Sequence, residues 1–329
     1  MSGAGMKWMT RAAGLLLGGL LLLGTPAMVA ARQAEPAGKP AHVPPVPLLW
    51  KVSGPQGGEL YLLGSFHLLK ADDYPLSTDV DKAFDASSRL LFELAPEEMN
   101  SPTLAAQMAQ AALRRDGRLL KDDLDADTWG RLQEYAAANG LPIDRLAGLK
   151  PWFVGLTISL GQMARQGLDA QAGLDRHLMT RAAEVGKPAL GLESAAAQIA
   201  MLDGMSVDEQ RQLLREALEQ VDKGDEQGRR LHDAWRRGDD VTLWRDMATQ
   251  MKRDYPALYR RINTERNDAW LAPLQQRLQA GQGTTLVVVG ALHLLGSDGV
   301  VEKLRAKGYR VERICSACTP AVKGRGGKP

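Results

Sequence analysis

The chain has 329 residues, 44% of them hydrophobic, and a formal net charge of +2. That apolar share is ample for a core, and the length suits two domains or one large α/β domain. The near balance of charge, without a strong basic stripe, argues against nucleic acid as the main partner.

Residues 1–31 read as a signal peptide. Lys7 and Arg11 precede the apolar stretch Ala12 to Gly24, and Ala27, Ala30 and Ala31 offer a cleavage site. Roughly 13 apolar residues are short for a bilayer span. The mature protein is therefore expected to be exported and periplasmic, touching the membrane only through this segment; an uncleaved anchor is the alternative. No cysteine lies nearby to carry a lipid. Residues 32–46 form a linker in a Pro- and Ala-rich stretch that runs on to Pro47. One α/β domain is expected over 47–315, with a helical insertion at about 100–280. A flexible tail, 316–329, follows, with Lys323, Arg325 and Lys328 solvated among glycines.

Within the domain, Leu48 to Ser53 and Glu59 to Leu63 are strand-like and flank Gly54-Pro-Gln-Gly-Gly58, which predicts a hairpin. Pro75 to Ser87 reads as a helix capped by Ser77 or Thr78, and Arg89 to Glu93 as a strand. From Asn100 the pattern turns helical. Ser101-Pro102 starts one helix, and Asp127 or Thr128 starts another that stops at Asn139-Gly140. Pro151-Trp152 opens an apolar helix. Gly173 to Val185 is helical, and Lys187 to Leu192 is a short strand ending in Glu193-Ser194. Ser206-Val-Asp-Glu209 is a capping box. Helices then continue to Gln279, with breaks near Gly224, Gly238 and Pro256. A sheet built from both ends of the chain is expected, with the helical middle as an insertion or lid.

The end of the chain echoes its beginning. Gly283 to Leu295 runs GTTLVVVGALHLL, and Gly58 to Leu69 runs GELYLLGSFHLL. Each is a buried strand followed by Gly-x-x-His-Leu-Leu. Each is followed in turn by a helix and a second strand, Gly299 to Gly308 and Arg310 to Ile314 in the later copy. A duplicated unit can bring its ends together about a pseudo-twofold axis. Ligands of open α/β sheets sit at the carboxyl ends of the strands, where both copies deliver a histidine.

Of the five histidines, His42 lies in the linker, and His177 and His232 sit in charged helical contexts that read as surface. His67 and His293 remain as candidate metal ligands. Glu93 and Glu193 close strands at the same edge; each can ligate a metal or act as a general base on water. Arg266, in Thr264-Glu-Arg-Asn267, can hold a substrate carbonyl or developing oxyanion, or serve as a buried partner for Glu93 or Glu193. Ser65 is a possible nucleophile, but the second copy has Ala291 there. His-Glu-x-x-His, Gly-x-Ser-x-Gly and Walker patterns are not apparent. Cys315 and Cys318 suit a local disulfide in an exported chain, with a redox or zinc pair as the alternative.

These residues resemble the TraB/GumN family, also called the TraB/PrgY/GumN or Tiki superfamily. The likeness covers roughly Pro47 to Ile314. It is carried by Leu49-Trp-Lys51, Tyr61-Leu-Leu-Gly-Ser-Phe-His67, Glu93, Gly173-Leu-Asp175, Gly186-Lys-Pro188, Leu192-Glu193, Glu265-Arg-Asn267 and Val289-Gly-Ala-Leu-His293. The paired Gly-x-x-His motifs are its specific part. The resemblance implies an α/β fold related to the erythromycin-esterase and ChaN-like group. It also implies a metal-dependent hydrolase site, with His67 and His293 as the motif histidines on the metal, Glu93 as the strand-end glutamate that ligates it or acts in catalysis, and Arg266 as the catalytic arginine; Glu193 matches a recurrent family position and stays a candidate metal ligand from its place at a strand end. Animal members are similar to manganese- or cobalt-dependent proteases; zinc is a further candidate. A peptide or protein substrate is then expected. Two other readings stand beside it: a non-catalytic protein that sequesters a peptide or other ligand, and an esterase or haem-binding protein of the related fold.

Overall fold

The computed structural model describes residues 43–281 and 283–318. The expected signal segment, His42, most of the linker and the cationic tail residues fall outside them. Six strands form one sheet: β1 Leu49–Ser53, β2 Glu59–Ser65, β3 Arg89–Leu94, β4 Ala189–Glu193, β5 Thr284–Gly290 and β6 Arg310–Arg313. Their order across the sheet is β4-β3-β5-β2-β1-β6. The strands β2, β5, β3 and β4 run parallel, while β1 is antiparallel to both β2 and β6. The apolar runs of β2, β3 and β5 explain their central places, since a parallel strand covered on both faces must be apolar on both. Leu60, Leu62, Leu90, Phe92, Leu286 and Val288 are fully buried there.

The repeat is visible in the topology. From β2, the chain passes His67 and the helix Thr78–Ala86 and reaches β3 by stepping over β5. From β5, it passes His293 and the helix Val300–Ala306 and steps the opposite way, over β2 and β1, to β6. Crossovers between parallel strands are right-handed, so opposite steps place the two helices on opposite faces. An approximate twofold axis along the strand direction, between β2 and β5, relates the units. The strand β1 widens the second step and makes the symmetry inexact.

The middle of the chain contributes β4 to the sheet edge and otherwise folds as helices around a second core. The helix Pro151–Arg165 buries Trp152, Phe153 and Leu156 against Val207–Asp222. The capping box at Ser206 and Glu209 is formed as expected. Two starts differ from the sequence reading. Ser101 spends its hydroxyl on Thr103 Oγ1 at 2.9 Å, and that helix begins at Leu104. The next begins at Ala126, because Asp125 accepts the Thr128 N–H at 2.8 Å and caps it.

The last linker residues are part of the folded body. Pro45 O accepts the Ser77 N–H and Val46 N–H donates to Arg236 O, both at 2.8 Å. Cys315 and Cys318 are joined as a disulfide. Among the described residues, no helix is long and apolar enough to cross a membrane.

Candidate active site

Because β2, β3, β4 and β5 are parallel, their carboxyl ends meet at one edge. His67 follows β2, Glu93 is near the end of β3, Glu193 ends β4, and Gly290 ends β5 with His293 one turn beyond. Glu93 Oε1 lies 3.8 Å from His67 Nε2 and 3.9 Å from His293 Nε2. Gly290 sits at the centre. A methyl on its Cα would lie 3.1 Å from His67 Nε2, 3.3 Å from Glu93 Oε1 and 3.5 Å from His293 Cδ2. The two imidazoles therefore face one space, and glycine keeps it open.

Each ring is fixed from behind. His67 Nδ1 donates to Asp175 Oδ2 at 2.8 Å, and the Ser65 hydroxyl donates to the same oxygen. His293 Nδ1 donates to Asn267 Oδ1 at 2.7 Å; Asn267 Nδ2 is committed to Asp298 O at 2.8 Å, which leaves its carbonyl facing the ring. Both rings thus hold a proton at Nδ1 and turn Nε2 to the common space, the arrangement that orients ligating histidines. Asp175 reaches His67 because the segment before it is laced to the histidine turn. Leu69 and Asp169 exchange backbone hydrogen bonds, and Leu174 N–H donates to Phe66 O at 3.3 Å. A Cβ at Gly173 would fall 2.0 Å from His67 O, so only glycine permits that approach.

Arg266 lies across the carboxylates. It follows a widened, π-type turn, Arg260–Thr264, at the start of the helix Glu265–Ala280. Its Nη2 donates to Glu93 Oε2 at 2.7 Å and its Nε to Glu193 Oε1 at 2.9 Å, while Nη1 stands 3.0 Å from His293 Nε2. Trp270, one helical turn on, donates its indole N–H to Glu193 Oε1 at 2.7 Å. Its ring lies under the Arg266 guanidinium, 5.0 Å to the centroid, and packs on His293 at 4.6 Å.

The electrostatics separate the two histidines. Burial opposes charge on His67, but the Asp175 carboxylate, with Glu93 behind it, overrides this and raises its pKa to about 9. Burial and the Arg266 guanidinium together outweigh Glu93 at His293 and push it down to about 3. Burial opposes the charge on Glu93, yet Arg266, the two histidines and the Gly290 N–H, 2.8 Å from Oε1, hold its carboxyl far below the usual range. His67 is also the open member. Its side chain is 28% exposed, against 9% for Glu93 and His293 and 10% for Arg266.

His67, Glu93, Arg266 and His293 thus converge, as the sequence pattern anticipates. Glu193 joins them only through Arg266 and Trp270, which engage both its oxygens. Arg266 is ion-paired, and with both glutamates rather than one of them. The Ser65 hydroxyl is buried and given to Asp175. The surface expectation fails for His232, which is buried and donates from Nε2 to Asp73 Oδ2 at 2.8 Å. His177 is half-buried and packs against Tyr74 at a tilt of 34°, 4.2 Å between centroids. Asp175 and Asn267 stand inside quoted motifs but carry no role in the sequence reading, and Trp270 is missed altogether. Its signal is the four-residue spacing from Arg266, which puts both on one helix face.

The donor chemistry fits a divalent ion once His67 gives up its Nε2 proton: two imidazoles protonated at Nδ1 and one ionised carboxylate, with both oxygens steadied, around a gap floored by glycine. The arrangement is also guarded. Arg266 Nη1 holds the His293 Nε2 lone pair, and among the described residues no three His, Cys, Asp or Glu side chains are already drawn to ion-holding spacing.

The TraB/PrgY/gumN family profile matches residues 48–313. YbaP of Escherichia coli K12, an uncharacterized protein, is 25% identical over 76% of this chain and 89% of its own length. An uncharacterized protein of Treponema pallidum is 26% identical over 79% of this chain and 80% of its own. No solved structure matches significantly. The profile spans the sheet, both histidine turns and the whole helical middle; the chain belongs to the TraB/PrgY/gumN family.

Proposed function

We propose that the protein is an exported, periplasmic hydrolase of peptide bonds, dependent on a divalent ion. His67 Nε2, His293 Nε2 and Glu93 Oε1 would hold the ion. One observation carries the reading: Glu93 Oε1 lies 3.8 and 3.9 Å from two imidazole nitrogens whose other nitrogens are both committed elsewhere. When bound, such an ion supplies Lewis acidity toward a carbonyl oxygen and toward water; manganese or cobalt suits the family likeness, with zinc a further candidate.

The protein's own residues have distinct tasks. Asp175 keeps a proton on His67 Nδ1, and Asn267 keeps one on His293 Nδ1. Glu93, weakly basic and held through both oxygens, suits a ligand better than a general base. Arg266 pairs with Glu93 and Glu193 together, and its Nη1, 3.0 Å from His293 Nε2, would serve as donor to a developing oxyanion. Glu193 and Trp270 hold Arg266 in position. Purified protein with manganese or cobalt is expected to cleave an unfolded protein substrate, and the His67→Ala, His293→Ala double variant to leave it intact. Equal rates in the two would reject the proposal.

The contact between Arg266 Nη1 and His293 Nε2 favours a second reading, in which the charged cluster stays closed and the protein sequesters a peptide without cleaving it. Peptide binding that is indifferent to chelator and yields no product would select it.

A further inference from the structure

The two edges of the sheet differ. At one, β6 reads Arg310-Val-Glu-Arg313, with Arg310 paired to Glu312 at 2.6 Å. Charge of this kind is how natural edges avoid pairing with other chains. At the other, β4 reads Ala189-Leu-Gly-Leu-Glu193, with no charge before its last residue. Leu190 is 45% exposed. The nearest cation, Lys187, is turned back to Phe84 O at 2.5 Å. The register sets which groups point outward. Leu90 pairs with Ala189 and Phe92 with Gly191, and Leu90 N–H donates to Pro188 O at 2.8 Å. In a parallel ladder this turns the backbone groups of Leu190 and Leu192 toward β3 and those of Ala189 and Gly191 away from it. Among the described residues, no backbone hydrogen bond joins Ala189 or Gly191 to an element beyond β3.

We infer that β4 is the strand on which an extended peptide substrate docks by main-chain pairing. The inference rests on the peptide-hydrolase reading and names how that substrate is held. The strand ends at Glu193, whose carboxylate grips Arg266. A chain added beside it, at a strand spacing of about 4.8 Å, runs toward the edge where His67 is exposed. The ends of the described chain are held elsewhere, Val43 O by Arg236 at 3.1 Å and the Ser316 N–H by Asp79 at 2.6 Å, so the described segments do not supply the occupant. Main-chain pairing tolerates sequence and leaves selectivity to alternate side chains.

The test uses β-casein as an unfolded probe, with full-length protein loaded with cobalt. Steady-state kinetics are measured on that cobalt-loaded protein for wild type, Leu190→Lys and Glu312→Lys, and amide exchange is resolved residue by residue by NMR in the wild-type chain stripped of metal by chelator, so that casein is not consumed. Expected results are at least about tenfold slower exchange at Ala189 and Gly191 with casein, no change at Leu190, and a KM raised about fivefold or more by Leu190→Lys, at unchanged kcat. Glu312→Lys, on the exposed strand β6 at the opposite edge, should retain the wild-type KM. Casein cleaved with these amides unprotected and KM unmoved by Leu190→Lys would overturn the docking strand and leave the hydrolase reading standing. Protection without cleavage would uphold the docking strand and reject the hydrolase. Neither effect would reject both. Protection that appears without casein and grows with protein concentration would assign the edge to a second copy of the chain and overturn the inference.

Discussion

Gly290→Ala is the smallest change that addresses the shared space. The added methyl would stand 3.1 Å from His67 Nε2 and 3.3 Å from Glu93 Oε1. Both are tighter than ordinary van der Waals contact, so the ring and carboxylate must give way by a few tenths of an ångström. The backbone there, φ −49° and ψ 136°, is one alanine adopts freely. Alanine at a compatible position recovers about 0.4–1 kcal/mol through the unfolded chain, which offsets part of the crowding. Net stability should therefore stay within about 1 kcal/mol of wild type. Activity should fall far more, since a misplacement of catalytic groups of up to about 1 Å costs on the order of 10²-fold. The assay pairs kcat/KM on casein with thermal melting. Gly155→Ala is the control: its methyl would meet Leu214 Cα at 2.9 Å and Leu213 O at 3.1 Å, in the second core rather than the site. It should cost about 1–3 kcal/mol of stability by overpacking while leaving the site groups in place. A Gly290→Ala protein with wild-type kcat/KM would refute the claim that the groups around this glycine do the work.

Arg266→Ala should destabilise by about 3–5 kcal/mol, because it leaves the buried Glu93 and the partly buried Glu193 without their shared cation; an unchanged denaturation midpoint would contradict this. Asn267→Leu should cost about 1–3 kcal/mol by orphaning His293 Nδ1 and Asp298 O, and NMR of the His293 ring should show loss of the single tautomer. Without metal, stability should peak near pH 6.5 as far as these two histidines govern it. His67, raised from 6.5 to about 9, contributes fully below 6.5 and is lost as pH rises through 9; His293, lowered from 6.5 to about 3, is favourable above 6.5 and penalises the fold as pH falls toward 3. Chemical denaturation across pH 4–10 in chelator checks both arms, and a stability flat across pH 6.5–9 would contradict the charge assigned to His67.

Much of this was legible in the residues. Apolar runs bounded by glycine mark β2 and β5, and the repeated Gly-x-x-His puts both histidines past strand ends. The parallel pairing of β2 with β5 then brings them together. Less legible are contacts made by segments distant in sequence. Asp175 is 108 residues from His67, and only the lacing of 169–174 onto the histidine turn brings it there. His232 looked solvated because its own helix is charged, but its partner Asp73 lies 159 residues away and is wholly buried. The Pro-rich arm suggested a loose linker, yet its end is fastened by backbone bonds to Ser77 and Arg236 that composition does not reveal.

The most direct measurement is cobalt titration followed by visible absorption, on wild type and on the His67→Ala and His293→Ala single variants. A shared site predicts one cobalt per chain, with a ligand-field band that either substitution abolishes. Stoichiometric cobalt with an unaltered band in both variants would show that no ion is held between the two histidine turns.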